Sequence, residues 1–186
     1  KKLLKELEGI EAKTNIQLKN IPSKLKDNLQ FNFISSFSTT EFRIADEMSE
    51  FILKTTKQKI RKNDKDRLSN LSIVDATSCI GGNTLSFAKY FSRVDSIEID
   101  EDNFKILKHN IKVSKKLHDL YKPSLIGKIN YYLGDYKDIL PDNIKHNDII
   151  FLDPPWGDDY DIKNPKMPML GDDTVPEFIE KVCNQF

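Results

Sequence analysis

The sequence predicts an α/β fold with a mainly parallel sheet, and three observations predict it. Short apolar runs alternate with helical segments, a glycine loop follows the first run, and acidic residues stand at the ends of later runs. Strands that alternate with helices are joined by crossover connections and form a parallel sheet. Ligands bind such sheets at the carboxyl ends of the strands, where these residues would meet.

The first strand and the loop after it form the candidate cofactor site. Residues 71–91 predict a buried strand ending at Asp75, a tight loop with Gly81 and Gly82, and a helix beginning near Asn83. Glycines let the backbone approach a ligand closely, and a helix N-terminus offers unpaired N–H groups. The loop does not match GxGxxG, and no lysine follows in P-loop spacing. The loop nevertheless indicates a site for a nucleotide-type cofactor, although it carries neither of those two motifs.

Two later strands end in acids. Residues 94–100 predict a second strand with Glu98 and Asp100 at its end, about twenty residues after the loop, where an acid can bind ribose hydroxyls. Glu98 is the first choice because it directly follows the apolar run, and Asp100 is the second. A helix is predicted over residues 102–117. The third strand ends at Gly134, and the next residue, Asp135, either accepts a hydrogen bond from an adenine amino group or caps the turn.

The most informative stretch is DIIFLDPPWGD, residues 148–158. An apolar strand ends at Asp153, and Pro154 and Pro155 then stiffen the exit and present carbonyl groups without competing N–H donors. Trp156 adds a flat face beside those acceptors. Carbonyl and carboxylate acceptors next to a stacking ring suit the exocyclic amine of a planar base. The alternative interpretation is a strand followed by a proline-rich turn with no chemical role.

Composition limits the number of domains and the kinds of partner that the chain can have. The 186 residues, 38% of them hydrophobic, suffice for one modest domain. Basic and acidic residues both number 29, so there is no global attraction to nucleic acid. Residues 54–67 are basic and could contact phosphates, although a solvated helix end and loop is the favoured interpretation. Two cysteines and three histidines show no metal-ligand spacing, and we predict no metal. Without a bilayer-spanning apolar stretch, we expect no membrane partner and an intracellular protein, cytoplasmic or nuclear.

These residues resemble the class I S-adenosylmethionine-dependent methyltransferases, which have a Rossmann-like fold, and within them the trimethylguanosine synthases. The resemblance rests on GGNTLSFA at residues 81–88, IEID at 97–100, DPPWGDDY at 153–160 and FSTTEFRIA at 37–45. Two positions depart from the family pattern. Cys79 stands where the family has a glycine, and Asp153 replaces a serine, as in amino-methyltransferases of adenine and of ribosomal guanine.

The resemblance implies S-adenosylmethionine as cofactor and methyl transfer to the 2-amino group of 7-methylguanosine in an RNA cap, with capped RNA as partner. It implies that Asp153 and Pro154 orient the amine and that Trp156 stacks on the base. It also implies cofactor contacts from Asp75, Gly81, Gly82, Asn83, Glu98, Asp100 and Asp135, with Thr40 and Phe37 closing over the cofactor. Thr40 is further predicted to be the N-cap of a helix that starts near Glu41.

Two alternatives remain open. Asp153 favours a methyltransferase for an internal adenine or guanine amino group in RNA or DNA, whereas the GGNT and FSTT elements disfavour it. The other alternative is a catalytically silent methyltransferase-like module that binds RNA or a protein. Cap dependence separates the two enzymes, and cofactor binding separates both from the silent module.

The chain divides into two predicted regions. Residues 1–36 form an N-terminal helical extension, with helical periodicity in Leu3, Leu4, Leu7 and Ile10. Residues 37–186 form the methyltransferase domain, which ends in a proline-rich loop, 164–176, and a helix, 177–184. The family has three further strands there. We therefore expect a sheet truncated after its fourth strand, in a fragment, a short variant or a piece of an assembly, with an open edge that further protein segments would cover.

Overall fold

The computed structural model describes residue 18 and residues 21–33, 35–117, 126–143, 147–154, 169–170 and 173–183. Its helices are α1 (Ser23–Lys26), α2 (Ser35–Ser38), α3 (Phe42–Lys59), α4 (Lys65–Ser69), α5 (Gly82–Tyr90), α6 (Glu101–Lys116), α7 (Tyr136–Asn143) and α8 (Val175–Cys183). Its strands are β1 (Ser72–Asp75), β2 (Arg93–Glu98), β3 (Lys128–Leu133), β4 (Ile149–Phe151), β5 (Met169–Leu170) and β6 (Asp173–Thr174).

The main sheet has four parallel strands in the order β3-β2-β1-β4. Its register pairs Ile73 of β1 with Val94 of β2 and with Ile149 of β4. Helices α5 and α6 make the crossovers from β1 to β2 and from β2 to β3. This arrangement confirms the predicted α/β fold with a parallel, Rossmann-like sheet.

Apolar side chains cover both faces of the sheet. Ile73, Val94 and Ile129 belong to a buried cluster that includes Phe87 of α5 and Leu107 of α6. The alternate strand residues Val74 and Ile97 belong to a second cluster, with Leu140 of α7 and Phe178 of α8. Successive strand residues point to opposite faces, so continuous apolar runs are what a sheet buried on both sides requires. The result is a three-layer structure with helices on each face.

Helix α3 packs on α5 through a buried polar network. The Lys89 ammonium donates to both carboxylate oxygens of Asp46, at 2.8 and 2.7 Å. The Ser86 hydroxyl donates to Asp46 at 2.6 Å and lies 2.7 Å from the Ser49 hydroxyl. Because the side chain of Lys89 is 5% exposed, its charge depends on this carboxylate. The network fixes the helix that follows the FSTT segment to the helix that follows the glycine loop.

The prediction that Thr40 caps α3 is wrong. Glu41 is the N-cap, and its carboxylate accepts from the backbone N–H groups of Arg43 at 3.1 Å and Ile44 at 3.3 Å. The longer Glu41 side chain folds back over the first turn, so the helix begins at Phe42. Helix α6 begins one residue earlier than predicted because Asp100 caps it, its carboxylate accepting from the N–H of Asn103 at 2.7 Å.

The segment after β4 also differs in detail from the prediction. Part of the proposed proline-rich loop is a short antiparallel hairpin of β5 and β6, and α8 starts two residues earlier than predicted. The predicted helical periodicity at residues 3–10 lies outside the described residues. The predicted boundary between residues 36 and 37 falls within α2, and the division into two regions stays a prediction.

Within the described ranges, no helix combines the length and apolar character that a membrane crossing requires.

Replacing Asp46 by Asn should lower the free energy of unfolding by about 3 kcal/mol, because the buried Lys89 ammonium loses the carboxylate that balances it. Urea denaturation followed by circular dichroism measures the change. The control is Glu47→Gln, which removes an exposed ion pair with Arg43 and should cost less than about 1 kcal/mol. Equal losses for the two variants would contradict the stabilising role of the buried pair.

Candidate active site

The turn between β1 and α5 brings the backbone to the carboxyl edge of the sheet. Gly81 has a φ of +96°, and a Cβ atom there would lie 2.8 Å from Leu107 Cδ1. A Cβ atom on Gly82 would lie 2.7 Å from Thr39 Cγ2, so only glycine lets the FSTT segment approach this closely. Cys79, in the place where the family has a glycine, has a φ of +48° and thus keeps the left-handed conformation that glycine adopts most readily.

Side chains and backbone groups from neighbouring elements hold this turn. The Ser78 N–H donates to the Ile97 carbonyl at 2.9 Å, and the Ser78 hydroxyl donates to the Asp75 carbonyl at 2.8 Å. Asn110 of α6 donates to the Ile80 carbonyl at 3.1 Å. Sequence reasoning missed Ser78 and Asn110, because their importance depends on contacts between elements distant in the chain.

Asp75 lies at the end of β1 and is fully buried. Its Oδ2 accepts from the Thr84 hydroxyl at 2.6 Å, and that hydroxyl lies 2.9 Å from the Ser96 hydroxyl. Its Oδ1 is buried and makes no hydrogen bond of good geometry with a described residue. Burial raises the pKa of Asp75 from 3.8 to about 7, opposed by the Thr84 hydrogen bond and reinforced by the nearby charge of Asp153. The site therefore contains a carboxyl group that a cation would stabilise in its charged form.

Glu98 and Asp100, the two acids at the end of β2, have different local partners. Glu98 accepts from the N–H groups of Cys79 at 2.7 Å and Asp100 at 2.8 Å, which joins it directly to the glycine loop. Burial raises the pKa of Glu98, while these backbone N–H groups oppose the shift. Asp100 is exposed and caps α6. Glu98 therefore lies against the loop, whereas Asp100 has a structural role as a helix cap.

Asp153 and Pro154 follow β4 and lie next to the end of β1. The Asp153 N–H donates to the Thr77 hydroxyl at 2.9 Å, and the Ala76 N–H donates to the Phe151 carbonyl at 3.0 Å. These bonds join the segment after β4 to the turn after β1. Thr77 is another residue that the sequence analysis missed. Trp156 lies outside the described residues.

The remaining predicted residues surround the same edge of the sheet. Asp135 follows β3 and accepts from the Lys137 N–H at 2.9 Å, so it caps the turn into α7, while its contact with adenine stays a prediction. Asn83 lies in the first turn of α5, and its Oδ1 is a buried acceptor without a described partner. Thr40 is half-buried, with backbone atoms close to Gly82, and Phe37 is part of α2.

The electrostatics of this edge favour a cationic ligand. Asp153 and Glu98 both act to raise the pKa of Asp75, as expected for carboxyl groups held close together in a poorly solvated place. No ion pair among the described residues compensates Asp75, Glu98 or Asp153. The described residues also contain no group of three metal-ligating side chains suited to a metal ion. An organic cation with hydrogen-bond donors would satisfy these acceptors.

Comparison with known families agrees with this geometry. The model of a family described as RNA cap guanine-N2 methyltransferase matches residues 70–185, which include β1, the glycine loop, the acidic end of β2 and the segment after β4. The chain belongs to the RNA cap guanine-N2 methyltransferase family. The prediction of a class I methyltransferase family related to the trimethylguanosine synthases is thereby confirmed, and membership of this family agrees with the prediction of an enzyme.

Individual relatives support the assignment to this family. A trimethylguanosine synthase of Schizosaccharomyces pombe is 29% identical over 141 residues, which cover 74% of this chain and 50% of that protein. An uncharacterized protein of Acanthamoeba polyphaga mimivirus is 38% identical over 96 residues, which cover 52% of this chain and 34% of that protein. The chain thus spans half or less of the length of these curated relatives.

A solved structure supports the fold of this family member. A crystal structure described as a "putative methyltransferase" from Porphyromonas gingivalis matches with a TM-score of 0.50 and 20% identity. The match covers 75% of this chain and 30% of that chain. At this identity it supports the methyltransferase fold and not a substrate.

The raised pKa of Asp75 should make this family member less stable as the pH rises. Between 3.8 and about 7, the folded state keeps a proton that the unfolded state has released, so the free energy of unfolding falls with pH. Asp75→Asn removes the titrating group. Relative to the wild type, the variant should gain on the order of 2 to 3 kcal/mol between pH 5 and pH 8, measured by urea denaturation.

A second variant tests the cause of this pH dependence. The Thr84 hydroxyl lowers the pKa of Asp75, so Thr84→Val should move the loss of stability to higher pH. If the unfolding free energies of the wild type and of Asp75→Asn run parallel between pH 5 and pH 8, Asp75 does not titrate as described.

Proposed function

We propose that this chain transfers a methyl group from S-adenosylmethionine to the exocyclic 2-amino group of 7-methylguanosine in an RNA cap. The observation that supports the proposal most is the meeting of the ends of β1, β2 and β4. In a chain of this family, they put Asp75, Glu98 and Asp153 around one glycine loop. Substrate identity, cofactor and partner are all parts of the proposal.

The cofactor side of the site suits S-adenosylmethionine. When bound, this cofactor supplies a methyl group on a positively charged sulfonium and also carries an ammonium group. Asp75 would hold the positive charge through its buried Oδ1, and the charge would favour the ionised form of Asp75. Glu98 would accept from the ribose hydroxyls while keeping its bonds to the loop. Gly81, Gly82 and Asn83 would lie along the cofactor, and Asp135 would accept from the adenine amino group.

The segment after β4 would bind the base that accepts the methyl group. The carbonyl groups of Asp153 and Pro154 would accept hydrogen bonds from the 2-amino group and hold its nitrogen in line with the methyl group. Positive charge would develop on the amine during methyl transfer, and the carbonyl groups and the Asp153 carboxylate would stabilise it. The Asp153 carboxylate would then accept the proton that the amine releases. Trp156 would stack on the cationic 7-methylguanine ring.

Asp153 suggests a second candidate for the methyl acceptor. Asp153 replaces the serine of the family pattern and resembles the acid of internal adenine and guanine amino-methyltransferases. A carboxylate can accept from an unmodified purine amine as well as from a capped guanosine. Capped RNA in the nucleus or cytoplasm remains the proposed partner, and the assays below compare capped with uncapped acceptors.

Replacing Glu98 by Gln should weaken the binding of S-adenosylhomocysteine by about 1.5 to 3 kcal/mol, because a charge-assisted hydrogen bond to the ribose is lost. Isothermal titration calorimetry gives the dissociation constant. Thermal unfolding of the variant is recorded in parallel, since Glu98 also holds the N–H of Cys79. Only a loss of affinity in a folded protein supports the cofactor role.

The matched control for Glu98 is Asp100→Asn. Asparagine caps helices as well as aspartate does, so α6 should keep its start and its stability. We expect less than a threefold change in affinity. If Asp100→Asn weakens binding and Glu98→Gln does not, the acid assigned to the ribose is the wrong one.

Replacing Trp156 by Ala should reduce methyl transfer to a 7-methylguanosine cap dinucleotide at least about fivefold, since stacking on a base contributes about 1 to 3 kcal/mol. Transfer of labelled methyl groups measures the rate, and titration with S-adenosylhomocysteine should give an unchanged affinity. The wild type is also assayed with uncapped RNA and with DNA. Methylation of uncapped acceptors alone would replace the cap proposal with an internal purine substrate, and no cofactor binding would indicate a silent module.

A further inference from the structure

A cavity lies away from the cofactor loop, between the later half of α3 and the end of α5. Its volume is about 720 Å³, and it is open to solvent. Leu53, Ile60 and Tyr90 line it and also pack against the main buried cluster, so its floor is apolar and anchored to the core. Its size is that of a small-molecule or nucleotide site. The proposed methyl transfer does not use it.

Three lysines surround this floor. Lys54 and Lys57 stand one turn apart on α3, and Lys62 lies in the turn after the helix, which brings it back toward them. All three are exposed, and none forms an ion pair or hydrogen bond with another residue of the described ranges. The acid in the lining, Glu50, already accepts from the Tyr90 hydroxyl at 3.0 Å. The cavity therefore carries a net positive charge.

Some other lysines of the described structure have carboxylate partners. Lys105 pairs with Glu101 and Asp102, and Lys181 pairs with Asp173. Lys54 and Lys57 share one face of α3, and the turn after the helix adds Lys62, so three ammonium groups meet at one cavity. Ammonium groups around an apolar floor fit a ligand that alternates phosphates with flat apolar rings. Single-stranded RNA has this chemistry, because lysines neutralise its phosphates while its bases cover apolar and aromatic side chains.

The position of the cavity fits the downstream part of an RNA whose end is at the methyl-transfer site. Helix α3 starts beside Thr40, whose backbone lies near Gly82 at the glycine loop. At about 1.5 Å per residue, Lys57 lies roughly 22 Å further along the helix than Phe42. A single strand that stays stacked, with the phosphate spacing of one duplex strand, about 3.4 Å along the axis, covers this distance in about six nucleotides.

We propose that the cavity between α3 and α5 binds the RNA strand roughly six nucleotides downstream of the cap. The proposal rests on the proposed function, because the cap site sets where the strand begins. Lys54, Lys57 and Lys62 contact phosphates, and Leu53, Ile60 and Tyr90 contact bases. Contacts of this kind do not depend on sequence, so the cavity lengthens the footprint without selecting particular RNAs.

The test compares wild type with a triple variant, Lys54→Gln, Lys57→Gln and Lys62→Gln. Fluorescence anisotropy is measured with a labelled capped 12-nucleotide RNA, its uncapped form and a capped 4-nucleotide RNA, and calorimetry with a cap dinucleotide. The variant should bind both 12-nucleotide RNAs about tenfold more weakly at 0.1 M salt. The slope of log affinity against log salt should become less negative by about 2, at about 0.7 for each single-strand phosphate contact. Affinity for the two short ligands should change less than twofold.

The matched control is Lys108→Gln, Lys112→Gln and Lys116→Gln, which removes three exposed charges one turn apart on α6. It should bind the 12-nucleotide RNAs like the wild type. An equal loss in this control would overturn the proposal, because the effect would come from net charge. Unchanged binding of 12-nucleotide RNA by the first variant, or an equal loss with the short ligands, would overturn it as well.

The same measurements separate this inference from the proposed function. If the wild type neither binds nor methylates the cap dinucleotide, the cap proposal fails. The RNA site is then judged on the uncapped 12-nucleotide RNA alone, and salt-dependent binding that is lost only in the first variant supports it. If the cap dinucleotide is methylated while the 12-nucleotide RNA gains nothing from the three lysines, the cap proposal stands and the downstream site is refuted.

Discussion

The backbone reversal between β1 and α5 is the constraint on which the rest of the structure depends. Cys79 and Gly81 both adopt left-handed conformations within three residues, and Leu107 leaves no room for a Cβ atom at Gly81. This reversal lets the Ser78 N–H reach the end of β2 and the Cys79 N–H reach Glu98. It also starts α5 at the sheet edge, so the loop, the helix N-terminus and the acids of two strands share one place.

The same reversal brings acidic side chains together in a buried place, which lowers the stability of the protein. Burial of the Asp75 carboxyl group disfavours its ionised form, and Glu98 and Asp153 make ionisation harder still, so the group does not serve stability alone. Such an arrangement is typical of places that bind a charged ligand, because the ligand supplies the missing interaction. In this family member the protein core holds the acids together, and the ligand would compensate their repulsion.

The fold and the positions of the main acids could be predicted from the sequence because local signals agree. The apolar run before Asp75, the glycines after it and the acid after the second run each indicate the same parallel sheet. Partners distant in the chain could not be predicted. Three hydrogen bonds form only once the sheet has brought their partners together: Thr84 to Asp75, Asp153 to Thr77, and Lys89 to Asp46. No periodic pattern in the sequence predicts them. The cap of α3 was misassigned for a local reason, since both Thr40 and Glu41 carry an oxygen that can reach the first turn.

The attachment of α3 to α5 also limits how the site can open. Asp46, Ser49, Ser86 and Lys89 hold the two helices together, and α5 itself is continuous with the glycine loop. We therefore expect the two helices to keep their relative position when the site opens. A pivot that separates α2 from the loop has to lie in residues 39–41, where α2 has ended and α3 has not begun, since such stretches absorb backbone rotation most easily. Closure over the cofactor would therefore move Phe37 with α2, while Thr40 would turn within the hinge itself.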